Sequence, residues 1–456
     1  MINLNDEIIV DIEKMLYEGL ALARVENFPV FIENACVGDK AKIRISKLKK
    51  NFANAELIEI VEPSKHRVKP FCALHNVCGG CQWQYIDYEE QLKQKQNIVK
   101  ETIRKFTGKD IEVLSTIASP KQIEYRHKIQ YPVSQTKVSK RILAGYYKKH
   151  THELINIKHC PIQPKVIDSL IEGIKEKAQD LNITAYDEKK HTGILRHIVF
   201  KHSKDTQKTL VTFVINSSEV VDAVDDLASY VYKSFDNIIG VCANFNTSKN
   251  NVIFGKDTTC LIGEDYYTEK LGDITYKISA NSFFQVNPYS AEKIFDVAKS
   301  MISESLEKPT ILDAYSGVSS FGIWMSDIAS NVVCVEEVKS ASEDAVSNVH
   351  SNNVNNVEVV NGDASEIFKK LVEENAKFDA IILDPPRKGC TQEALDYTIK
   401  LAGSLIIYVS CNPSSLARDM KYLHENGFET EYIQPVDMFP HTYHIESVAL
   451  IKRIAG

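Results

Sequence analysis

The sequence predicts an α/β protein whose C-terminal part is a doubly wound, mainly parallel sheet, preceded by a small β-barrel and an α+β middle domain. After about residue 290, apolar strands such as TILDAYSG and FDAIILDPP alternate regularly with helix-like segments. The first sixty residues contain five short strand-like segments separated by turns, which is typical of a small Greek-key barrel. Strand-like and helix-like segments mix between about 111 and 280. We therefore predict three domains, over residues 1–62, 63–280 and 281–456.

Length and composition narrow the class of protein. A chain of 456 residues is too long for one hydrophobic core. It has no run of about eighteen apolar residues, and its start, MINLNDEIIV, carries acids where a signal peptide carries a basic region. We therefore expect a cytoplasmic protein with no membrane partner. In that reducing compartment, ten cysteines indicate metal binding or catalysis rather than disulfides.

The net charge of −7 hides a strong asymmetry along the chain. Residues 1–165 hold 27 Lys and Arg against 19 Asp and Glu, whereas the remainder holds 27 against 42. The segment KAKIRISKLKK (40–50) has six basic residues and no acid. Each basic patch alone could be a solvated lysine-rich face, but together with a barrel of the oligonucleotide-binding kind they favour a nucleic acid as partner.

Polar residues follow consecutive strands of the predicted parallel sheet, at the edge where ligands bind such sheets. Asp313 opens the turn DAYSG after the first strand, and Glu336, Asp363 and Asp384 end the next three. An acid at the end of the second strand can accept the hydroxyls of a ribose. The chain lacks both the G-x-G-x-x-G and the G-K-[ST] phosphate loops, so the expected cofactor is a nucleoside without pyrophosphate, namely S-adenosylmethionine.

A candidate nucleophile follows the next strand, where SLIIYVS runs into Cys411, Asn412 and Pro413. Asn as a cap and Pro in the first turn predict a helix start, and a helix N-terminus is an environment that lowers a thiol pKa. Glu446 opens the apolar strand ESVAL and is a candidate base. A thiolate that adds to C6 of uracil makes C5 nucleophilic toward a sulfonium methyl group, and a base can then remove the C5 proton. A buried structural thiol and a solvated rim carboxylate are the alternatives.

The segment CALHNVCGGC places Cys72, Cys78 and Cys81 at C-x5-C-x2-C spacing, with Cys160 before a proline further along. Structural zinc sites usually consist of two C-x2-C-type pairs, so this pattern is closer to iron–sulfur ligation, with zinc as the alternative. A helix with a basic outer face is predicted after the segment. We assign the other cysteines to packing: Cys36, Cys242, Cys260, Cys334 and Cys390.

The chain resembles the RNA uracil-5-methyltransferases that carry an N-terminal TRAM domain, such as the bacterial 23S rRNA (uracil-5-)-methyltransferases. The resemblance covers nearly the whole chain. It is carried by SFFQVNP (282–288), DAYSG (313–317), LDPPRKG (383–389), YVSCNP (408–413), HIESVAL (444–450) and the cysteine segment.

The resemblance implies a Rossmann-like S-adenosylmethionine-dependent methyltransferase domain, an N-terminal TRAM barrel that binds RNA, and formation of 5-methyluridine in 23S rRNA. It implies Cys411 as nucleophile and Glu446 as general base. Cofactor contacts are implied for Gln285, Tyr315, Glu336, Asp363 and Asp384. A 4Fe-4S cluster is implied on Cys72, Cys78, Cys81 and Cys160. Transfer RNA as substrate, or a catalytically inactive RNA-binding iron–sulfur protein, remain alternatives, and no obligate protein partner is expected.

Overall fold

The computed structural model describes residues 2–454 of the chain. The outermost residues of the first and third predicted domains, 1 and 455–456, lie outside the described residues. No helix in the described part of the chain has both the length and the apolar character needed to span a bilayer.

The N-terminal part is a six-stranded sheet in the order β1-β5-β6-β4-β3-β2. In its fifth strand the side chains of Ala41, Ile43 and Ile45 are buried while the intervening basic residues point outward, as the alternation of KAKIRISKL predicts. The first predicted strand is divided in two by a short break. The strands are β1 (Glu7–Asp11), β2 (Lys14–Met15), β3 (Ala21–Val25), β4 (Phe28–Ile32), β5 (Lys40–Leu48) and β6 (Ala53–Glu62).

A long helix, α1 (Tyr88–Thr107), follows the cysteine segment, as predicted. It begins where the Asp87 side chain accepts from the Glu90 backbone N–H at 3.0 Å, and it ends before Gly108 in a left-handed conformation. Val99 and Ile103 of α1 are buried in the same core as the C-terminal sheet. The next strand, β7 (Glu112–Val113), pairs with the edge of that sheet. Helix α1 and β7 therefore pack on the third predicted domain, although they belong to the second in sequence.

The middle region is a seven-stranded sheet in the order β10-β9-β8-β11-β12-β13-β14. Two helices cover it and bury apolar side chains such as Ile171 and Leu227. The elements are β8 (Lys128–Gln135), β9 (Ile142–Tyr147), β10 (Leu154–Asn156), α2 (Val166–Asp180), β11 (Leu195–His202), β12 (Thr209–Ile215), α3 (Asp222–Ser234), β13 (Ile238–Phe245) and β14 (Asp257–Gly263), followed by a hairpin of β15 (Tyr266–Leu271) and β16 (Ile274–Ser279).

The C-terminal part is the predicted doubly wound sheet, in the order β19-β18-β17-β20-β21-β23-β22-β7. Strands β17 to β21 are parallel, and β23 lies antiparallel between β21 and β22. The elements are α4 (Pro288–Ser303), β17 (Thr310–Ala314), α5 (Ser320–Met325), β18 (Asn331–Glu336), α6 (Lys339–Ser351), β19 (Val357–Asn361), α7 (Ala364–Glu373), β20 (Phe378–Leu383), α8 (Gln392–Leu401), β21 (Ala402–Ser410), α9 (Pro413–Glu425), β22 (Phe428–Val436) and β23 (Glu446–Arg453).

The strand order reverses between β17 and β20. From β17 the chain proceeds outward through β18 and β19 on one side, and through β20 and β21 on the other. In such sheets the crevice outside the carboxyl ends at the reversal is where ligands bind. The fold therefore directs attention to the residues that follow β17, β18, β20 and β21.

Candidate active site

The turn after β17 is held to the end of β18 by the carboxylate of Glu336. Its Oε2 accepts from the Gly317 N–H at 2.8 Å, and its Oε1 accepts from the Val338 N–H at 2.7 Å. Tyr315, Gly317 and Ser319 all have positive φ angles, so the backbone turns tightly here. Glu336 therefore has one fixed orientation, and its remaining lone pairs are available at the ligand edge of the sheet.

Three acids share this edge. Burial raises the pKa of Asp313 to about 8, and the charges of Asp384 and Glu336 act in the same direction. Asp313 Oδ2 accepts from the Gly322 N–H at 2.9 Å, whereas its buried Oδ1 has no hydrogen-bond partner among the described residues. Burial also raises the pKa of Asp384, to about 7. The sequence drew attention to Asp313 only as the start of a turn, and the structure adds it to the site as a buried acid with an unsatisfied oxygen.

Gln285 lies half-buried on the segment between β16 and α4. This segment passes close to the turn after β17, since a Cβ placed on Gly317 would lie 3.9 Å from the Phe283 carbonyl oxygen. Asp363 takes a different position, exposed at the start of α7, where its side chain caps the helix by accepting from the Glu366 N–H at 3.1 Å. The segment that carries Gln285 therefore runs beside the turn after β17, and Asp363 follows β19.

Cys411 and Glu446 are brought together by the pairing of β21 with β23. These strands are antiparallel, and Ser410 is the register partner of Ser447. The residue after Ser410 is Cys411, and the residue before Ser447 is Glu446. The two candidate catalytic groups, 35 positions apart in the chain, therefore meet at one end of adjacent strands. The motif residues predicted as nucleophile and base share a single site.

Cys411 sits where the predicted helix begins, because the Asn412 side chain accepts from the Ser414 N–H at 3.0 Å and Pro413 opens α9. The expectation that this helix start lowers the thiol pKa is wrong. Burial, with the charge of Glu446, raises the pKa of Cys411 to about 11; the Arg387 guanidinium opposes the shift, and Asp384 adds to it. Burial and the neighbouring carboxylate charges therefore set the direction of the shift.

Glu446 is also shielded from water, with 8% of its surface exposed. Burial raises its pKa well above the ordinary range, Asp384 adds to the rise, and Arg387 opposes it. Once ionised, such a carboxylate is a stronger base than an ordinary carboxylate.

Arg387 is a site residue that sequence reasoning did not single out. Its guanidinium acts on both Cys411 and Glu446, and its Nη2 lies 3.4 Å from His444 Nδ1. The only signal in the sequence is its position within DPPRKG, three residues after Asp384. It places a permanent positive charge near the Cys411 thiol and the Glu446 carboxyl group.

The N-terminal sheet contributes to the same site through Tyr17. The rings of Tyr17 and Tyr443 meet edge to face with centroids 5.3 Å apart. Burial raises the pKa of Tyr17 to about 12, and the charges of Arg387, Cys411 and Glu446 reach its hydroxyl. Nothing in the sequence pattern of the barrel indicates this contact.

The four cysteines predicted as cluster ligands line one cavity, which we call the four-cysteine cavity. Cys72, Cys78, Cys81 and Cys160 share its wall with Arg126. The Gly80 N–H donates to Cys78 Sγ at 3.4 Å, and burial raises the pKa values of Cys81 and Cys160 to about 12. Within residues 2–454, no group of three or more His, Cys, Asp or Glu side chains is arranged to hold a metal ion directly. The sequence pattern thus brings four thiols to one cavity, without forming a closed single-ion site.

Known proteins similar to this chain agree with the fold. Residues 87–454 match the tRNA (uracil-5-)-methyltransferase family, and residues 4–58 match the TRAM domain. An uncharacterized RNA methyltransferase of Bacillus cereus is 36% identical, over 99% of this chain and 98% of its own length. Another, of Clostridium tetani, is 35% identical over 95% and 94%.

A solved structure resembles the whole chain. The tRNA (uracil-54, C5)-methyltransferase of Pyrococcus abyssi, in complex with S-adenosyl-L-homocysteine, is 28% identical, with a TM-score of 0.75 over 97% of this chain and 99% of that one. The predicted Rossmann-like domain and TRAM domain are confirmed. The chain belongs to the tRNA (uracil-5-)-methyltransferase family and is an S-adenosylmethionine-dependent RNA uracil-5-methyltransferase.

Proposed function

We propose that this enzyme forms 5-methyluridine in 23S rRNA, with Cys411 as nucleophile and Glu446 as general base. The observation that carries the proposal is the pairing of β21 with β23, which places a thiol and a carboxylate together beside the ligand crevice.

The chemistry follows from these two groups. Cys411 Sγ, as thiolate, adds to C6 of the target uracil, and the electrons of the C5–C6 double bond move to the ring as an enolate. Bound S-adenosylmethionine supplies an electrophilic methyl group for C5. Glu446 then takes the C5 proton, the C5–C6 double bond re-forms, and the C6–Sγ bond breaks to release Cys411. Arg387 stabilises the thiolate at the beginning and end of this sequence.

The crevice residues fit an adenosine-type cofactor. Glu336 is positioned for ribose hydroxyls, and the unsatisfied Oδ1 of Asp313 offers a buried acceptor. We assign cofactor contacts to Gln285, Tyr315, Glu336, Asp363 and Asp384. The charge of Asp384 raises the pKa values of both Asp313 and Cys411, so it is close enough to influence both groups. Asp363, which already caps α7, is the assignment with the least direct geometry.

We place the RNA on the side of the TRAM domain, because Tyr17 reaches the catalytic groups. The basic segment 40–50 is partly neutralised within the barrel, since Lys40 pairs with Glu62 at 3.1 Å and Lys42 with Glu7 at 2.9 Å. The remaining lysines of that segment lie at the end of β5 and are exposed. We expect the enzyme to act in the cytoplasm, and we expect these lysines to face the phosphate backbone of the RNA.

Transfer RNA is the second candidate substrate, because the Pyrococcus abyssi enzyme of similar structure is a tRNA (uracil-54, C5)-methyltransferase. The four cysteines that line one cavity are the feature on which we base the ribosomal assignment. A catalytically inactive RNA-binding protein is disfavoured because the nucleophile, the base and the cofactor crevice are all present together.

We propose that the four-cysteine cavity holds the 4Fe-4S cluster that the resemblance implies. Cys81 and Cys160 share a small core with Tyr125, and burial raises the pKa values of Cys78, Cys81 and Cys160 while the positive charge of Arg126 opposes the rise. A cation there would offset the negative charge of a thiolate-bound cluster. Its role would be structural, because it would join the segment before α1 to the strand region that ends at Cys160.

Replacing the nucleophile tests the reaction. We expect Cys411→Ala to reduce tritium release from RNA containing 5-tritiated uridine by roughly three orders of magnitude or more, because C5 stays unreactive without addition at C6. Cys260→Ala, at a half-buried cysteine of the central sheet, should release tritium at the wild-type rate. Release by the Cys411→Ala enzyme at the wild-type rate would reject the proposed mechanism.

Mapping the modification tests the substrate. In a strain that lacks this gene, we expect 5-methyluridine to disappear from 23S rRNA and to remain in tRNA, as read by mass spectrometry of RNase digests. Purified enzyme should restore it in the 23S rRNA of that strain. Loss from tRNA alone would establish the second candidate.

The thiol pKa gives a prediction about pH. Because the pKa of Cys411 is raised to about 11, alkylation of Cys411 by iodoacetamide should accelerate about tenfold per pH unit between pH 7 and 10. Arg387→Met removes the charge that opposes this rise, so alkylation at pH 8 should slow by roughly two- to tenfold.

Mass spectrometry of the Cys411 peptide measures these rates. Lys388→Met, at the exposed neighbouring position, is the matched control and should alkylate like wild type. A rate that levels off near pH 8 would show that burial does not raise this thiol's pKa.

Anaerobic purification tests the cluster. We expect brown protein with iron and acid-labile sulfide in equal amounts, and loss of both in Cys81→Ser, while Cys260→Ser keeps them. Colourless protein with one bound zinc would contradict the proposal and favour the alternative metal.

A further inference from the structure

Glu446 follows a loop that is not part of the sheet. The chain leaves β22 after Val436 and returns at Glu446, and these two residues are register partners. Between them lie residues 437–445, which contain no helix or strand. We call them the 437–445 loop. The position of the Glu446 carboxylate relative to Cys411 depends on how this loop is fixed.

The first half of the loop is fixed by a fully buried ion pair with α1. Lys95 Nζ donates to Asp437 Oδ1 at 2.6 Å and to the Phe439 carbonyl oxygen at 3.1 Å, and the side chains of both Lys95 and Asp437 are 0% exposed. Asp437 Oδ2 accepts from the Tyr88 hydroxyl at 2.8 Å. Both carboxylate oxygens are thus bonded to the same helix.

A second residue of α1 fixes the middle of the loop. Gln91 Oε1 accepts from the His441 N–H at 2.9 Å, and Gln91 Nε2 donates to the carbonyl oxygens of Trp83 and Ile86. The Trp83 N–H in turn donates to the His441 carbonyl oxygen at 2.9 Å. Lys95 and Gln91 lie one helical turn apart and face the same loop.

We infer that Lys95 and Gln91 are positioning residues for the general base, acting through the 437–445 loop without touching the reacting atoms. The inference rests on the proposed role of Glu446. A buried ion pair is a weak source of stability but a strong source of directional constraint, because each charge tolerates few arrangements of its partner. Here that constraint is applied to the residues that lead into β23.

The order of chemical steps makes the role measurable. Cys411 addition and methylation of C5 do not use Glu446, whereas removal of the C5 proton does. Displacing Glu446 should therefore leave a methylated RNA bonded through C6 to Sγ of Cys411. A variant that was merely less stable would lose all steps together.

The test uses the full-length enzyme and a 23S rRNA transcript, or a tRNA transcript if that is the RNA the wild type methylates. The variants are Gln91→Met and the double variant Lys95→Met with Asp437→Leu, which leaves no unpaired buried charge. We expect radiolabelled methyl incorporation in a single turnover at the wild-type rate, slow tritium release from C5, and a protein–RNA adduct stable to denaturing gels. For RNA, kcat should fall about tenfold or more and KM should fall in proportion, because kcat/KM is set by the steps up to methyl transfer.

Two controls isolate the base-dependent step. RNA with 5-fluorouridine has no C5 proton to remove, so wild type and variants should form equal amounts of adduct with it. Lys175→Met removes another buried, ion-paired lysine, which bonds Glu172 on α2 in the central domain. It should form no adduct with ordinary RNA.

The outcomes separate this inference from the proposed mechanism. Glu446→Gln should accumulate the adduct, and adding the α1 substitutions to it should slow tritium release no further. If Glu446→Gln gives no adduct, the proposed mechanism fails. If Glu446→Gln gives the adduct but the α1 variants slow methyl incorporation and tritium release equally, or slow neither, the positioning role is overturned.

Discussion

The antiparallel pairing of β21 with β23 is the constraint on which the active site depends. In the parallel part of the sheet only carboxyl ends of strands reach the ligand edge. The reversed strand β23 brings an amino-terminal end to that edge, so that Glu446 can stand beside Cys411. A slip of one residue in this register would turn the side chains of β23 to the opposite face of the sheet. The pairing therefore brings Cys411 and Glu446, the proposed nucleophile and base, to the same end of adjacent strands.

The second general feature of the site is the burial of its acidic groups. Asp313, Asp384, Glu446 and Cys411 all have raised pKa values, and burial is the largest cause in each case. The charge of Asp384 also disfavours ionisation of Asp313, Glu446 and Cys411. Arg387 supplies a permanent positive charge among them, and it acts on both catalytic groups. Burial therefore disfavours the ionised forms of the thiol and the acids, and the charge of Arg387 opposes this effect at Cys411 and Glu446.

Much of this structure could be predicted from sequence, because its signals are local. The periodicity of apolar residues predicted the doubly wound sheet, and the short strand-like segments at the N-terminus predicted the barrel. The strand-end residues Glu336, Asp384 and Cys411 follow from where apolar runs stop. The helix start at Asn412 and Pro413 was also correct, but the pKa inferred from it was not, since burial depends on residues far away in the chain.

The contacts that the sequence did not predict join residues that are far apart in the chain. Tyr17 reaches the site only because the barrel packs against the 437–445 loop through Tyr443. Helix α1 looks in sequence like part of the middle domain, yet its apolar face completes the core of the C-terminal sheet. Lys95 and Asp437 are 342 positions apart, so nothing in the sequence near either residue indicates that the two form an ion pair.

The position of α1 explains why a helix so early in the chain belongs to the catalytic domain. The 437–445 loop has no ladder of its own, and fixing backbone costs about 1–2 kcal/mol per residue in lost conformational entropy. Hydrogen bonds from α1, Trp83 and Tyr125 to Asp437, Phe439, Pro440 and His441 offset that cost one residue at a time. Trp83 follows Cys81 by two residues, so the segment that lines the four-cysteine cavity also bonds the loop that leads to Glu446, the proposed base. The cysteine segment and α1 thus form one structural unit. This unit connects the four-cysteine cavity to the active site through hydrogen bonds as well as through apolar packing.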